Sequence, residues 1–247
     1  MQFLSSRKNQ VISHFKKLGT DRAYRMLCGE FLCDGEKLLK EALLWNADIT
    51  AVLWEGEACA ALDCPAQYIA GRELLDYVSP LKSAPSVLFT VRMKAWPDAD
   101  PGRTLVLETI QDPGNLGTIL RTANALGIET VILTGECADV YNPKTIRAGM
   151  GAVFRQRWIS IERENLKAYL DAHGKRLVGA ALSGRSVDIR CADLKNAAVA
   201  IGSEGQGLSE TLLAMCAQEI IIPMRPQCES LNAAIAAAIV MWELERG

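Results

Sequence analysis

The sequence predicts an α/β protein whose larger, C-terminal part is a parallel sheet covered by helices. From Thr104 onward, short apolar runs (TLVLE, TVILT, RLVGAAL, AAVAIG and EIIIPM) alternate with helical segments. Uninterrupted apolar strands are what a sheet buried on both faces requires. Polar residues then collect directly after three of these runs: Asn115 and Arg121 after LVLE, Glu204 after VAIG, and Glu229, Ser230 and Asn232 after EIIIPM. Ligands in open α/β sheets gather beyond the carboxyl ends of the strands, so three matched strand ends describe an active site.

The elements follow in order. A polar helix is expected near 7–18. In FLCDGEKLLKEALLW, Phe31–Cys33 read as extended and Glu36–Trp45 as helical, while ITAVLW and SVLFTVRM (86–93) supply two further strands. Residues 1–95 therefore form a small α/β domain. AWPDADPGR, at 95–103, holds two prolines, a glycine and two aspartates in nine residues, and 96–103 reads as a linker. The second domain, 104–247, runs strand, helix from about 116, strand, a mixed segment, two strands, a helix beginning near Leu208, strand EIIIPM and a last helix. That alanine-rich helix is apolar all round, so it is expected to be covered on nearly every side, by the sheet and by a second subunit.

A chain of 247 residues with about half its positions apolar can bury a substantial core, and a formal charge of −2 gives no global basic signature. Any affinity for nucleic acid must be local. Arg7, Lys8, Lys16, Lys17, Arg22 and Arg25 face only Asp21 before residue 26, whereas residues 41–80 hold seven acids and one base, Arg72. Eight cysteines without a CxxC pair, and only His14 and His173, give no zinc-binding pattern. The N-terminus turns polar at Ser5 and does not read as a signal peptide, so the thiols are expected to be reduced and the protein cytoplasmic. The longest apolar run, Ala233–Trp242, is about half of a bilayer crossing and reads as a buried helix.

Each polar set has a structural use to set beside a functional one. In DPGNLGTILRTANALG, Pro113 and Gly114 read as a turn and Asn115 as a residue placed to cap the next helix. Arg121 follows Gly117 by four positions, so its side chain can lie along its own helix toward the strand end. The glycines of IGSEGQGLSE let backbone approach a ligand, but the segment lacks the P-loop lysine, and Glu204 would repel phosphate. It suits an arginine, or a ligand amine and hydroxyl. Ser230 or Asn232 must cap the last helix, and the pair together with Glu229 exceeds what a cap needs.

These three ordered motifs resemble the SpoU/TrmH family of RNA ribose 2′-O-methyltransferases, within the knotted SPOUT group, over roughly 104–246. Residues 1–95 are more weakly similar to the ribosomal-protein-like RNA-binding domain of rRNA-directed members, chiefly through RMLCGEFLCDGEKLLKEAL. The resemblance implies a C-terminal trefoil knot, a homodimer through the knotted domain, and S-adenosylmethionine as methyl donor without a metal. It places the functional side chains on Asn115, Arg121, Glu204, Ser230 and Asn232. Donor contacts fall on Leu182, Ser183, Gly202, Ile222, Met224 and Leu231, and RNA contacts on the basic N-terminal residues. The third motif departs from the family at Pro226, where glycine is usual; proline fixes φ and removes an N–H, which bears on donor affinity. Structured RNA, above all 23S rRNA, is the expected substrate. The alternatives are a tRNA ribose methyltransferase, an RNA-binding or ribosome-assembly factor with weak or no methyl transfer, and a dinucleotide-binding enzyme, which the absence of GxGxxG after the first strand disfavours.

Overall fold

The computed structural model describes all residues except 58–61, 63, 65, 98, 204, 226, 229 and 247. In chain order the elements are β1 (Gln2–Leu4), α1 (Gln10–Thr20), α2 (Arg22–Cys28), β2 (Glu30–Asp34), α3 (Glu36–Leu44), β3 (Ile49–Glu55), β4 (Gln67–Ala70), α4 (Arg72–Val78) and β5 (Val87–Arg92). There follow β6 (Thr104–Glu108), α5 (Pro113–Ala125), β7 (Thr130–Thr134), α6 (Pro143–Gly149), β8 (Arg157–Ser160), α7 (Arg163–Ala172), β9 (Arg176–Ala180), β10 (Val187–Asp188), β11 (Ala197–Ile201), α8 (Glu210–Met215), β12 (Gln218–Ile221) and α9 (Ala233–Arg246). The chain divides into two compact units, Met1–Ala95 with Asp139–Phe154, and Trp96–Ala138 with Arg155–Gly247. Asp139–Phe154, read from the sequence as part of the second domain, thus clusters with the first unit.

The first unit is a mixed sheet of order β1-β4-β3-β5-β2, parallel on the β1 side and antiparallel where β5 meets β3 and β2. Asn9 caps α1 by accepting from the Val11 N–H, and Ile12, Phe15 and Leu18 bury one stripe of that helix. Asp21 ends α1 and caps α2 through the Tyr24 N–H, a boundary that makes two short helices of one basic stretch. One core joins α1 and α4 to Leu32, Leu53 and Leu88 of the sheet. Beyond it, Phe31 packs on Tyr141 with ring centroids 4.6 Å apart.

Arg25 departs from the RNA-contact expectation. It is 3% exposed, donates from Nη1 to the Leu18 carbonyl at 2.8 Å, and directs Nε and Nη2 at Asp139 Oδ2 at 3.0 and 2.6 Å. Every donor so engaged serves the fold instead of the surface.

The second unit carries an all-parallel sheet of seven strands among the described residues, ordered β10-β12-β9-β11-β6-β7-β8. Its centre, β6, β7 and β11, is buried at every position. Val106, Ala198 and Ala200 meet Leu166, Leu170 and Leu212 of α7 and α8 in one core. The alternate residues Leu105, Leu107 and Val199 are equally buried, and α5 and α9 pack against each other and α9 against β11. The mixed segment of the sequence resolves into α6, a 3-10 turn at Ala152–Phe154, β8 and α7. Along α9, Ala233, Ala234, Ala237, Val240 and Met241 are buried, but Ile235 and Trp242 are 53% and 55% exposed. Within this chain, therefore, α9 is covered on one side only. Among the described residues no helix is long and apolar enough to cross a membrane.

Removing one partner of a buried ion pair leaves a desolvated charge. Asp139→Ala is therefore expected to destabilise the protein by about 3 kcal/mol, read from the urea midpoint, with Asp139→Asn losing less because it can still accept from Arg25.

Candidate active site

At the carboxyl ends of β9, β11 and β12 lies a cavity of about 400 Å³. Its walls come from Ala180–Leu182, from the glycine-rich segment after Ile201, and from Ile222, Met224, Ser230 and Leu231. Five of the six expected donor contacts, Leu182, Gly202, Ile222, Met224 and Leu231, line it. Ser183 does not; its hydroxyl is bonded to Glu219 Oε2 at 2.5 Å and to Ser186 at 3.1 Å.

Gly202 has a steric reason to be glycine. A Cβ there would sit 2.0 Å from the carbonyl carbon and oxygen of Gly207 and 2.4 Å from the Leu208 nitrogen. The segment closes on itself through the Gly207 N–H, which donates to the Ser203 carbonyl at 2.9 Å, with Gly207 at φ +66°. Leu208 then enters the core, and Ser209, not Leu208, marks the start of α8: its hydroxyl accepts from the Leu212 N–H. Glu204 falls inside this segment and, like Pro226 and Glu229, lies outside the described residues.

The cap of α5 differs from the sequence expectation, whereas that of α9 falls on one of the two expected residues. Asp112 is the cap of α5, accepting from the Asn115 N–H at 2.9 Å. Pro113 and Gly114 belong to the first helical turn, where proline costs no hydrogen bond. Asn115 is thereby relieved of capping. Of the Ser230/Asn232 pair, Asn232 is the cap: its Oδ1 accepts from the N–H groups of Ala234 and Ile235 at 3.0 and 3.3 Å. Its Nδ2 donates to Asn115 Oδ1 at 3.1 Å. The first and third motifs therefore touch, and Ser230 faces the cavity beside them. Arg121 lies on the exposed side of α5 and makes no hydrogen bond or ion pair among the described residues.

Sequence reading missed two buried acids behind the cavity, Glu108 at the end of β6 and Glu219 on β12. The signal was present in TLVLE and EIIIPM, where one acid flanks an otherwise apolar strand. Their charges, after burial itself, push the nearby Cys216 thiol up to about 12, so it stays protonated at neutral pH and is no nucleophile. Of the expected RNA contacts, Arg7, Lys8, Lys17 and Arg22 are exposed. Arg7 pairs with Glu73 at 2.7 Å and lies over Tyr77 together with Lys16, while Lys17 lies over Tyr24.

Asn232 does two jobs that substitution can separate. Asn232→Ala is expected to cost about 1 kcal/mol of stability through the lost cap, whereas Asn232→Asp keeps the cap and loses only the donor to Asn115. Denaturant unfolding of both variants checks the pair.

Comparison with known proteins agrees with this geometry. Residues 102–242 match the model of the SpoU rRNA methylase family. The 23S rRNA (guanosine(2553)-2′-O)-methyltransferase RlmP of Bacillus subtilis (strain 168) is 32% identical, with 99% of each chain covered. A 23S rRNA (uridine(2479)-2′-O)-methyltransferase of Streptomyces viridochromogenes is 28% identical over 97% of this chain and 90% of its own. Among solved structures, the AdoMet-bound rRNA methyltransferase of Sinorhizobium meliloti superposes with a TM-score of 0.88 at 27% identity, covering 99% of this chain and 97% of that one. The SpoU methyltransferase AviRb of S. viridochromogenes, solved with AdoMet, gives 0.86 at 27% identity, over 97% and 98%. With a seven-stranded parallel sheet, its motifs at the strand ends and a relative alike along the whole length, this chain belongs to the SpoU rRNA methylase family.

Proposed function

We propose that this protein is an S-adenosylmethionine-dependent methyltransferase acting on a ribose 2′-hydroxyl of 23S rRNA. The observation that carries the reading is the cavity built from the second and third motifs, with the Asn115–Asn232 contact joining the first motif to them. Its volume lies in the range of small-molecule sites, and its lining, which includes Gly202, Ile222 and Leu231, is mostly apolar, which suits an adenosine with a methionine chain.

The donor, when bound, supplies an electrophilic methyl on sulfonium. The ribose 2′-oxygen would take that methyl as the carbon–sulfur bond breaks, and the hydroxyl proton would pass to an oxygen of the adjoining RNA phosphate or to water. This is a problem of alignment more than of acid–base power. Arg121, with a guanidinium that stays protonated, is a poor base. It instead binds the adjoining RNA phosphate and stabilises the developing alkoxide, while Ser230 and Asn232 place the ribose and the methionine part of the donor. Glu204 orients Arg121 in this reading, and Asn115 holds Asn232.

Lys8, Lys16, Lys17, Arg7 and Arg22 engage RNA phosphates, and the first unit selects a structured element of the RNA. The family likeness supports a trefoil knot in the second unit and a cytoplasmic homodimer. The exposed Ile235 and Trp242 of α9 suit a subunit contact.

Purified protein given labelled donor and unmodified 23S rRNA is expected to protect one ribose from alkaline cleavage, and protection of tRNA alone would move the substrate. Arg121→Ala should lower transfer at least a hundredfold, on the scale of a lost transition-state donor, while leaving donor affinity intact; a parallel loss of donor affinity would refute the role. Replacing Lys8, Lys16 and Lys17 with glutamate should weaken RNA binding and reduce the slope of log K against log salt by about 2–3, and an unchanged slope would return these residues to an ordinary solvated face.

A further inference from the structure

Two buried carboxylates stand behind the cavity without lining it, and both reach for a serine. Glu108, 1% exposed, accepts through Oε1 from Arg163 Nε and from the Ser209 hydroxyl, each at 2.6 Å, and through Oε2 from the Ser209 N–H at 2.7 Å. Glu219, 8% exposed, accepts through Oε2 from the Ser183 hydroxyl and through Oε1 from Arg185 Nη2, each at 2.5 Å. The serines occupy equivalent places. Ser209 directly follows the glycine-rich segment that ends at Leu208, and Ser183 directly follows Ala181 and Leu182, so each closes a stretch of cavity wall.

We propose that Glu108 and Glu219 are positioning residues that pin these two walls to the sheet and thereby set the affinity for the methyl donor, which neither touches. The inference rests on the methyltransferase reading. Its physical basis is the conformational freedom of the walls: Gly202, Gly205 and Gly207 lie in one and Gly184 just beyond the other. Such segments lose much backbone entropy when ordered, so their affinity for a ligand depends on what holds them beforehand.

A carboxylate is suited to the task because it accepts only. At Glu108 three donors converge on two oxygens, and no neutral side chain of that size can satisfy them all. The hydroxyl of Ser209 donates to Glu108 and so turns its lone pairs to the Leu212 N–H at 3.2 Å. Strand end, helix cap and glycine segment are thus fixed by one acid. At Glu219 the same polarity holds: Ser183 donates to the acid and accepts from the Arg185 N–H at 3.2 Å.

Glu108→Gln keeps the shape but places an amide donor where donors already meet. In calorimetry with S-adenosylmethionine and the full-length protein, it is expected to raise the dissociation constant about tenfold, the worth of a hydrogen bond to a charged group. With donor saturating, kcat should stay within about twofold and RNA affinity should not change. Ser209→Ala keeps the N–H bond to Glu108 and loses the hydroxyl, so about threefold is expected, and adding it to Glu108→Gln should bring little more because the two share one network. Glu219→Gln should act in the same direction, together with Ser183→Ala. Unchanged donor affinity in Ser209→Ala and Ser183→Ala, both of which spare the buried acids, would overturn the proposal, as would a fall in kcat at unchanged donor affinity in Glu108→Gln. Failure of the unsubstituted protein to bind the donor would instead sink the methyltransferase reading, and is seen before any variant is made.

Discussion

The second unit depends on the absence of a side chain at Gly202. β11 is buried along its whole length, and the residue after it lies so close to the backbone of Gly207 and Leu208 that a single carbon would occupy the same space. Because the chain folds back this tightly, the glycine-rich segment itself forms a wall of the cavity, which is otherwise lined by apolar residues such as Leu182, Ile222, Met224 and Leu231. The same crossing delivers Leu208 to the core beneath α7 and α8, and Ser209 to Glu108. Sheet core, helix start and ligand wall are consequently one packing problem. A substitution there cannot be absorbed by rotamer changes, since the colliding atoms are main chain.

The two helices beside the cavity show how capping and site chemistry are shared. α5 takes its cap from Asp112, three residues ahead of Asn115, and that spacing leaves the Asn115 side chain to the site. α9 has no such spare residue. Asn232 caps with its oxygen and reaches Asn115 with its nitrogen, a division open only to an amide. An aspartate would cap as well and lose the bridge; a serine would cap but is too short to reach Asn115. The choice of asparagine is thus fixed by two demands made on the two branches of one carboxamide.

Much of this was legible in the sequence where one physical signal dominated. Continuous apolar runs gave the parallel strands because burial on both faces leaves no room for polar alternation, and of the polar residues at the strand ends Ser230 lines the cavity while Asn232 bonds Asn115. The elements missed, β1, β4, β10, α2 and α4, are two to seven residues long, too short for a period to stand out. A capping role for Asn115, set beside its functional one, follows from Pro113 and Gly114 looking like a turn, whereas proline fits a first helical turn equally well; only the backbone decides. Arg25 groups with its basic neighbours in the sequence, since nothing near it announces Asp139, 114 residues away.

Charge in the second unit is organised by pairing. Glu108 is matched by Arg163 and Glu219 by Arg185, so each buried acid is accompanied by one base and the pair adds no net charge behind the cavity. That balance matters for a cationic ligand. An unpaired buried carboxylate would hold a sulfonium tightly and its neutral thioether product weakly, favouring the ground state of the donor over the transition state in which its charge is already dispersing. Paired acids can supply geometry without that bias. The exposure of the two arginines differs, with side chains 33% exposed for Arg163 and 82% for Arg185. The Glu108 cluster is accordingly the less screened of the two, and it is the one that carries three bonds and a helix cap.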